Sequence, residues 1–138
     1  MDIVQILMAA GAAAVIWFVV GGGLYMNPPV AKIFKKAEGA PGYKIWKKQS
    51  VWLLMTFLGV VVQGLLWAFV FYFVRPVLPG TFWLDTLFFG LGLFVTKIIP
   101  RYIDTATQTT YPKQLLAVEF VNGTISCFVM AGVFAWLL

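Results

Sequence analysis

The chain has 138 residues, of which 62% are hydrophobic and only 11% charged, with a net charge of +5. Soluble proteins average about half apolar and a quarter charged residues, so this composition argues against a water-soluble helical bundle and favours a membrane protein. The length allows one domain and no separate soluble catalytic domain. Histidine is absent, which excludes an imidazole base, a bis-histidine haem and a histidine metal site.

Four apolar stretches are each long enough to cross about 30 Å of hydrocarbon. They predict an all-α, polytopic integral membrane protein with four transmembrane helices in a bundle, forming a single domain. The first stretch contains "AAGAAA", but no basic residue precedes it and the apolar run continues to Val20, so we interpret it as a retained span. The third is the shortest and contains Gly90 and Gly92, which weaken helices. The predicted spans are about 3–25, 50–74, 82–99 and 114–138.

The connection after the first span predicts a short interfacial helix on the cytoplasmic side. Asn27 can cap this helix, and prolines at the next two positions suit its first turn. Apolar residues then share one face while lysines point elsewhere, a pattern typical of helices that lie on a membrane surface. The apolar face consists of Val30, Ile33, Phe34 and Ala37.

The lysines of this connection have two interpretations. They are either a topology signal resting on the membrane surface or a contact for anionic lipid or an acidic partner. Nothing in the sequence predicts a fold that would present them to nucleic acid. The candidate anionic lipid contacts are Lys32, Lys35, Lys36, Lys47 and Lys48.

Basic residues are distributed unequally between the connections. The first connection carries six lysines against Glu38, the third adds Lys97, Arg101 and Lys113, and the second has only Arg75. Nine basic residues therefore lie on one side and one on the other. The positive-inside rule then places both termini on the non-cytoplasmic side.

Polar residues recur at helical spacing within two of the spans. In the second span, Thr56 and Gln63 share a face with Gly59 and Trp67. In the fourth span, Glu119, Asn122 and Ser126 lie on the same face as Gly123. We expect these faces to point at each other and to form interhelical hydrogen bonds. The alternative is a polar track for an ion or small solute. The candidate intramembrane polar site comprises Glu119, Asn122, Ser126, Gln63 and Thr56.

Glu119 is a carboxylate within the fourth apolar run, where an unpartnered charge is costly. It lies about 7 to 8 Å from the start of that span, in the shallow cytoplasmic third. Lys97, at the matching end of the third span, can snorkel to a similar depth. We therefore predict an ion pair with Lys97, with Arg101 as the other candidate partner. The competing hypothesis makes Glu119 a protonatable site for transport.

The remaining residues predict no catalytic site, no metal site and no cofactor. Cys127 is the single cysteine and lies within an apolar run, so it can form neither an internal disulfide nor a CxxC metal site. The acids are scattered along the chain without paired carboxylates at helical spacing. We therefore expect a protein that is not an enzyme.

Two segments are similar to a known family. They are "GGGLYMNPPVAKIFKK" and "LLAVEFVNGTISCFVMAGVFAWLL", the second ending with Gly132 and Trp136 in a Gly-x-x-x-Trp pattern. On these segments the chain resembles small four-span bacterial membrane proteins, the domain-of-unknown-function family numbered 1761. It departs from them at Leu24-Tyr25, where such proteins tend to have tryptophan and tyrosine. The resemblance implies a bacterial inner-membrane protein and supplies neither an activity nor site residues.

A chain with so little mass outside the spans acts chiefly through its helix surfaces. We therefore predict a non-enzymatic oligomer or an accessory subunit of a larger membrane complex. Its expected partners are the lipid bilayer, further copies of the chain or other membrane subunits. The alternative function is a small-solute or ion transporter or channel that uses Glu119.

Overall fold

The computed structural model describes residues 2–138, in which helices predominate and no strand occurs. This confirms the all-α prediction. A 3-10 turn, Arg75–Val77, follows the third helix, and a π-helical segment, Phe94–Ile98, joins the fourth helix to the fifth. The α-helices are α1 (Ile3–Tyr25), α2 (Pro28–Lys36), α3 (Gln49–Val74), α4 (Phe82–Leu93), α5 (Ile99–Gln108) and α6 (Lys113–Leu137).

Four helical stretches are long and apolar enough to cross a membrane, which confirms the predicted number. Three of them begin and end close to the predicted spans. The third is longer than predicted, because α4, the π-helical segment and α5 form one continuous helical stretch. The four stretches are Ile3–Tyr25, Gln49–Val77, Phe82–Gln108 and Lys113–Leu137.

The third stretch continues past Pro100, the residue near which the predicted span ends. A proline inside a helix lacks an N–H donor and its ring crowds the carbonyl four residues earlier. Here the backbone widens just before the proline, so that the Ile99 N–H donates to the carbonyl of Phe94, five residues back. Such a π-bulge lets a helix pass a defect without ending. The polar helix α5 therefore extends the third stretch to Gln108.

Helix α1 packs against both α3 and α6, and α4 packs against α6. Alanines of α1 form the closest contacts, and Ala9 and Ala13 are fully buried. A Cβ added at Gly64 of α3 would lie 2.9 Å from the backbone oxygen of Ala10. Small residues at such interfaces let two helix backbones approach closely.

This packing order makes the expected contact between the polar faces of the second and fourth spans wrong. Both helices pack mainly against α1, and α3 and α6 contact each other only slightly. The face of α3 that packs on α1 bears Val60, Gly64 and Ala68, all buried. The polar face with Gln63 is turned away from the alanine-rich surface of α1, because its residues are offset around the helix.

Aromatic rings join three helices at one end of the bundle. This end is opposite the lysine-rich connection, the segment between α1 and α3 that carries six lysines. Phe71 of α3 meets Phe89 of α4 edge to face, with ring centroids 4.9 Å apart. Phe134 of α6 lies 6.0 Å from Phe71. In the turn that precedes α4, the buried Asp85 side chain accepts a hydrogen bond of 2.9 Å from the Gly80 N–H. This bond closes the turn.

Helix α2 occupies the position where the sequence predicts a short amphipathic helix. The Asn27 side chain makes no capping hydrogen bond, and the helix begins with a bond from the Ala31 N–H to the Asn27 carbonyl instead. The apolar face turns inward, because Ala37 is buried and the Phe34 ring contacts Tyr25 at a centroid distance of 5.3 Å. The lysines of α2 are exposed.

Candidate functional site

Glu119 has a partner on each of its carboxylate oxygens. Arg101 Nη2 lies 3.2 Å from Oε2 and forms a salt bridge. The Tyr111 hydroxyl donates a hydrogen bond of 2.5 Å to Oε1. The glutamate side chain is 24% exposed and the arginine 68%, so the pair lies at the edge of the bundle with its charge compensated.

The salt bridge to Glu119 is made by Arg101, and Lys97, the partner favoured in the prediction, points elsewhere. Helical side chains lean toward the N-terminal end of their helix. For the third stretch this direction leads away from the lysine-rich end, so the Lys97 side chain reaches back along the bundle. Its Nζ lies 6.0 Å from the ring centroid of Trp67. Arg101, one turn later, stands at the level of Glu119.

Tyr111 is a member of this cluster that the sequence does not predict. Its N–H donates to Thr109 Oγ1 over 3.2 Å, and its backbone lies against Gly42, whose φ is +82°. Burial raises the pKa of Tyr111 above 10.0, and both the hydrogen bond to Glu119 and the negative charge of that carboxylate raise it further. The phenol therefore remains a donor to the glutamate. No periodic spacing relates this loop residue to Glu119, so pattern analysis has no signal for it.

A second tyrosine lies near the same charge. Burial raises the pKa of Tyr43 above 10.0, and the carboxylates of Glu38 and Glu119 raise it further. Its ring also stands 6.3 Å from that of Phe34. The connection between α2 and α3 is thereby drawn toward the start of α6 and the Glu119 cluster.

Asn122 follows Glu119 by about one turn of α6, and it is only 5% exposed. Its Oδ1 accepts no hydrogen bond within residues 2–138. The same side chain lines a groove of about 670 Å³ bounded by the last turn of α1, by α2 and by the first turns of α6. This α2–α6 groove also receives the side chains of Lys32 and Lys36.

The five predicted polar residues do not form one site. Ser126 donates a hydrogen bond of 2.6 Å to the carbonyl of Gly123 within its own helix. Thr56 is exposed and Gln63 half-buried, and within residues 2–138 neither side chain makes a hydrogen bond. Two groups result, one on α6 and one on a side of α3 that α1 does not cover. A continuous polar track between them is not formed.

The five predicted lipid-contacting lysines are also divided by the structure. Lys32 and Lys36 line the α2–α6 groove, whereas Lys35, Lys47 and Lys48 are exposed and do not line it. Cys127 is a buried free thiol. In the part of the chain that the structure describes, no three acidic, cysteine or histidine residues cluster in a way that could hold a metal ion.

Comparison of the chain with protein-family models, with curated proteins and with solved structures finds no match in any of the three. The resemblance to the family numbered 1761 therefore stays a prediction.

Proposed function

We propose that this chain is a multi-pass protein of the bacterial inner membrane, with both termini on the non-cytoplasmic side, that acts as a non-enzymatic oligomer or as an accessory subunit of a larger membrane complex. The distribution of nine basic residues against one supports the orientation. In this arrangement α2 and the lysine-rich connection lie at the cytoplasmic surface.

One observation carries the proposal: a polar and small-residue stripe on α3 that is exposed at Thr56 and Gly59 and half-buried at Gln63. The stripe consists of Thr56, Gly59 and Gln63, which follow one another at helical spacing. A Cβ added at Gly59 would meet no atom within 4 Å, so this position is open to another helix. The stripe thus combines hydrogen-bonding groups with a site of close approach.

In hydrocarbon the amide of Gln63 needs hydrogen-bond partners, because no water is available to supply them. Side chains of this type commonly bond to a neighbouring transmembrane helix, with about 0.5 to 2 kcal/mol gained for each bond. A helix from a second copy or from another membrane subunit would satisfy the amide and fill the space at Gly59. The α3 stripe is therefore the proposed association surface.

The experiment compares the assembly state of matched variants. The chain is purified in mild detergent from membranes, and its mass and co-purifying proteins are measured by mass spectrometry. We expect Gly59→Leu and Gln63→Leu to dissociate the assembly. Gly11→Leu is the matched control, because a Cβ at Gly11 of α1 also meets nothing within 4 Å but lies outside the stripe.

A wild-type chain that is monomeric in both detergent and bilayers would refute the proposal. Equal behaviour of the Gly59→Leu and Gly11→Leu variants would instead show that association uses another surface. Recovery of a single species containing only this chain would favour the oligomer over the accessory subunit.

The alternative function, a transporter or channel that uses Glu119, receives less support from the geometry. A coupling carboxylate must exchange its proton or counter-ion during the cycle. Glu119 is held by Arg101 and Tyr111, and both partners lie at the edge of the bundle. This arrangement suits a structural ion pair that joins α5, α6 and the intervening loop.

A further inference from the structure

The α2–α6 groove combines an apolar wall with a positively charged rim. Leu24 of α1, Val30 and Ile33 of α2, and Val118 and Val121 of α6 supply apolar surface. Its volume of about 670 Å³ falls within the range of roughly 300 to 1,000 Å³ typical of small-molecule sites. Val121 remains 57% exposed, so the wall is not covered by the chain itself.

The charged side chains that line the groove are all basic. Lys32 and Lys36 both line it, and no aspartate or glutamate does. The nearest acid on α6, Glu119, is compensated by Arg101. Two ammonium groups beside an apolar wall therefore suit a ligand that is anionic at one end and apolar along the rest.

Asn122 is a polar side chain at the wall of the groove. Its side chain is almost fully buried, and its Oδ1 has no donor within residues 2–138. The Oδ1 atom is itself buried, so a ligand in the groove contacts the lysines and the apolar wall without reaching it.

We infer that the α2–α6 groove binds one anionic phospholipid. The phosphate contacts Lys32 and Lys36, and an acyl chain lies along the wall formed by Val118 and Val121. This inference depends on the proposed membrane location, because only a membrane-inserted chain meets such lipids at this depth. It does not depend on the proposed association through α3.

The test uses the full chain in phosphatidylcholine nanodiscs, with phosphatidylglycerol as the titrated probe. Bound lipid is counted by native mass spectrometry after gentle release. Lys32→Gln with Lys36→Gln should weaken phosphatidylglycerol retention by about tenfold or more, as expected for two lost lysine contacts. The matched control is Lys47→Gln with Lys48→Gln, which removes the same charge outside the groove and should change retention less than about twofold.

A second variant tests the apolar part of the site. Val121→Trp places a large side chain in the groove from an exposed position and leaves both lysines in place. We expect this variant to exclude the lipid while retaining the wild-type melting temperature.

Three results would overturn the inference. Equal losses in the two double-lysine variants would show nonspecific attraction to charge. Unchanged retention in Val121→Trp would show that no chain enters the groove. Displacement of the lipid by soluble glycerol phosphate at equal concentration would show a site for the head group alone. Failure of the chain to insert into membranes would instead refute the proposed location, which fractionation of the membranes measures separately.

Discussion

Arg101 of α5 and Glu119 of α6 form a salt bridge with 3.2 Å between Nη2 and Oε2. The contact spans the turn between the two helices, and Tyr111 in that turn bonds to the other carboxylate oxygen. One glutamate thus joins the first turn of α5, the connecting loop and the start of α6. Its charge is compensated without a buried basic residue.

Replacing either residue of the salt bridge should lower the free energy of unfolding, with a larger loss at Glu119 than at Arg101. Glu119→Gln should lower the free energy of unfolding by about 1 to 2 kcal/mol, because both the ion pair and the charge-assisted bond from Tyr111 are weakened. Arg101→Gln should cost less, about 0.5 to 1 kcal/mol, because the arginine is largely exposed. Thermal unfolding in detergent, followed by circular dichroism, measures both changes.

Lys97→Met serves as the control for this prediction. The lysine makes no salt bridge with the acids of residues 2–138, so its replacement should leave the contribution of Glu119 unchanged. A double variant of Lys97 and Glu119 should then show additive losses. A strong coupling between these two residues would contradict the observed pairing with Arg101.

Tyr111 predicts a loss of stability at alkaline pH. Its pKa is raised above 10.0 in the folded chain, whereas an unfolded tyrosine titrates near about 10. The folded state therefore holds the proton more tightly, so this contribution is complete below pH about 10 and declines as the pH rises further. Wild type should lose more stability than Tyr111→Phe over this alkaline range.

Melting temperatures as a function of pH, together with tyrosinate absorbance, measure the Tyr111 effect. Tyr102→Phe is the control, because Tyr102 lies in α5 near the same end of the bundle and its ring contact with Phe120 is preserved in the variant. If Tyr111→Phe keeps the full alkaline dependence of wild type, the proton of Tyr111 does not contribute to the fold.

Gly64 predicts a steric effect at the contact between α1 and α3. A Cβ at this position would lie 2.9 Å from the Ala10 carbonyl oxygen, which is backbone and cannot rotate away. Gly64→Ala should therefore destabilise the chain by about 1 to 3 kcal/mol. Gly92→Ala, where a Cβ meets nothing within 4 Å, should leave the melting temperature unchanged or raise it. Equal melting temperatures for the two variants would contradict the packing of α1 on α3.

The proposed orientation predicts where thiol reagents can reach. In a Cys127→Ala background, Pro79→Cys should react with a membrane-impermeant reagent in intact cells, because the second connection carries the single basic residue. Glu38→Cys should react only after the cells are opened. Labelling of the Glu38→Cys variant in intact cells would reverse the proposed orientation.

The number of long apolar helices was predictable because it depends on local composition. A run of about 20 apolar residues identifies itself without knowledge of its neighbours, and the same holds for the amphipathic pattern of α2. The end of the third stretch was less predictable, because Pro100 usually ends or kinks a helix. Whether a π-bulge forms instead depends on the packing around it, which local sequence does not encode.

The candidate site likewise has features that local sequence predicts and features that depend on tertiary packing. Glu119 stands out in the sequence as a charge in an apolar run, so the need for a partner was predictable. The choice of Arg101 over Lys97 follows from the direction in which helical side chains lean once the helix continues past Pro100. The part played by Tyr111 required the loop to fold against Gly42, which no periodic pattern reveals.

The sequence by itself determined the helical class, the four long apolar helices and the basic bias of two connections, because each depends on residues close together along the chain. Only the tertiary structure decided that α3 and α6 both pack mainly against α1, that Arg101 and Tyr111 hold Glu119, and that Asn122 lines a groove with Lys32 and Lys36. These relationships arise from contacts between distant segments. Their geometry is set by side-chain volume and helix rotation, which apolar periodicity leaves open.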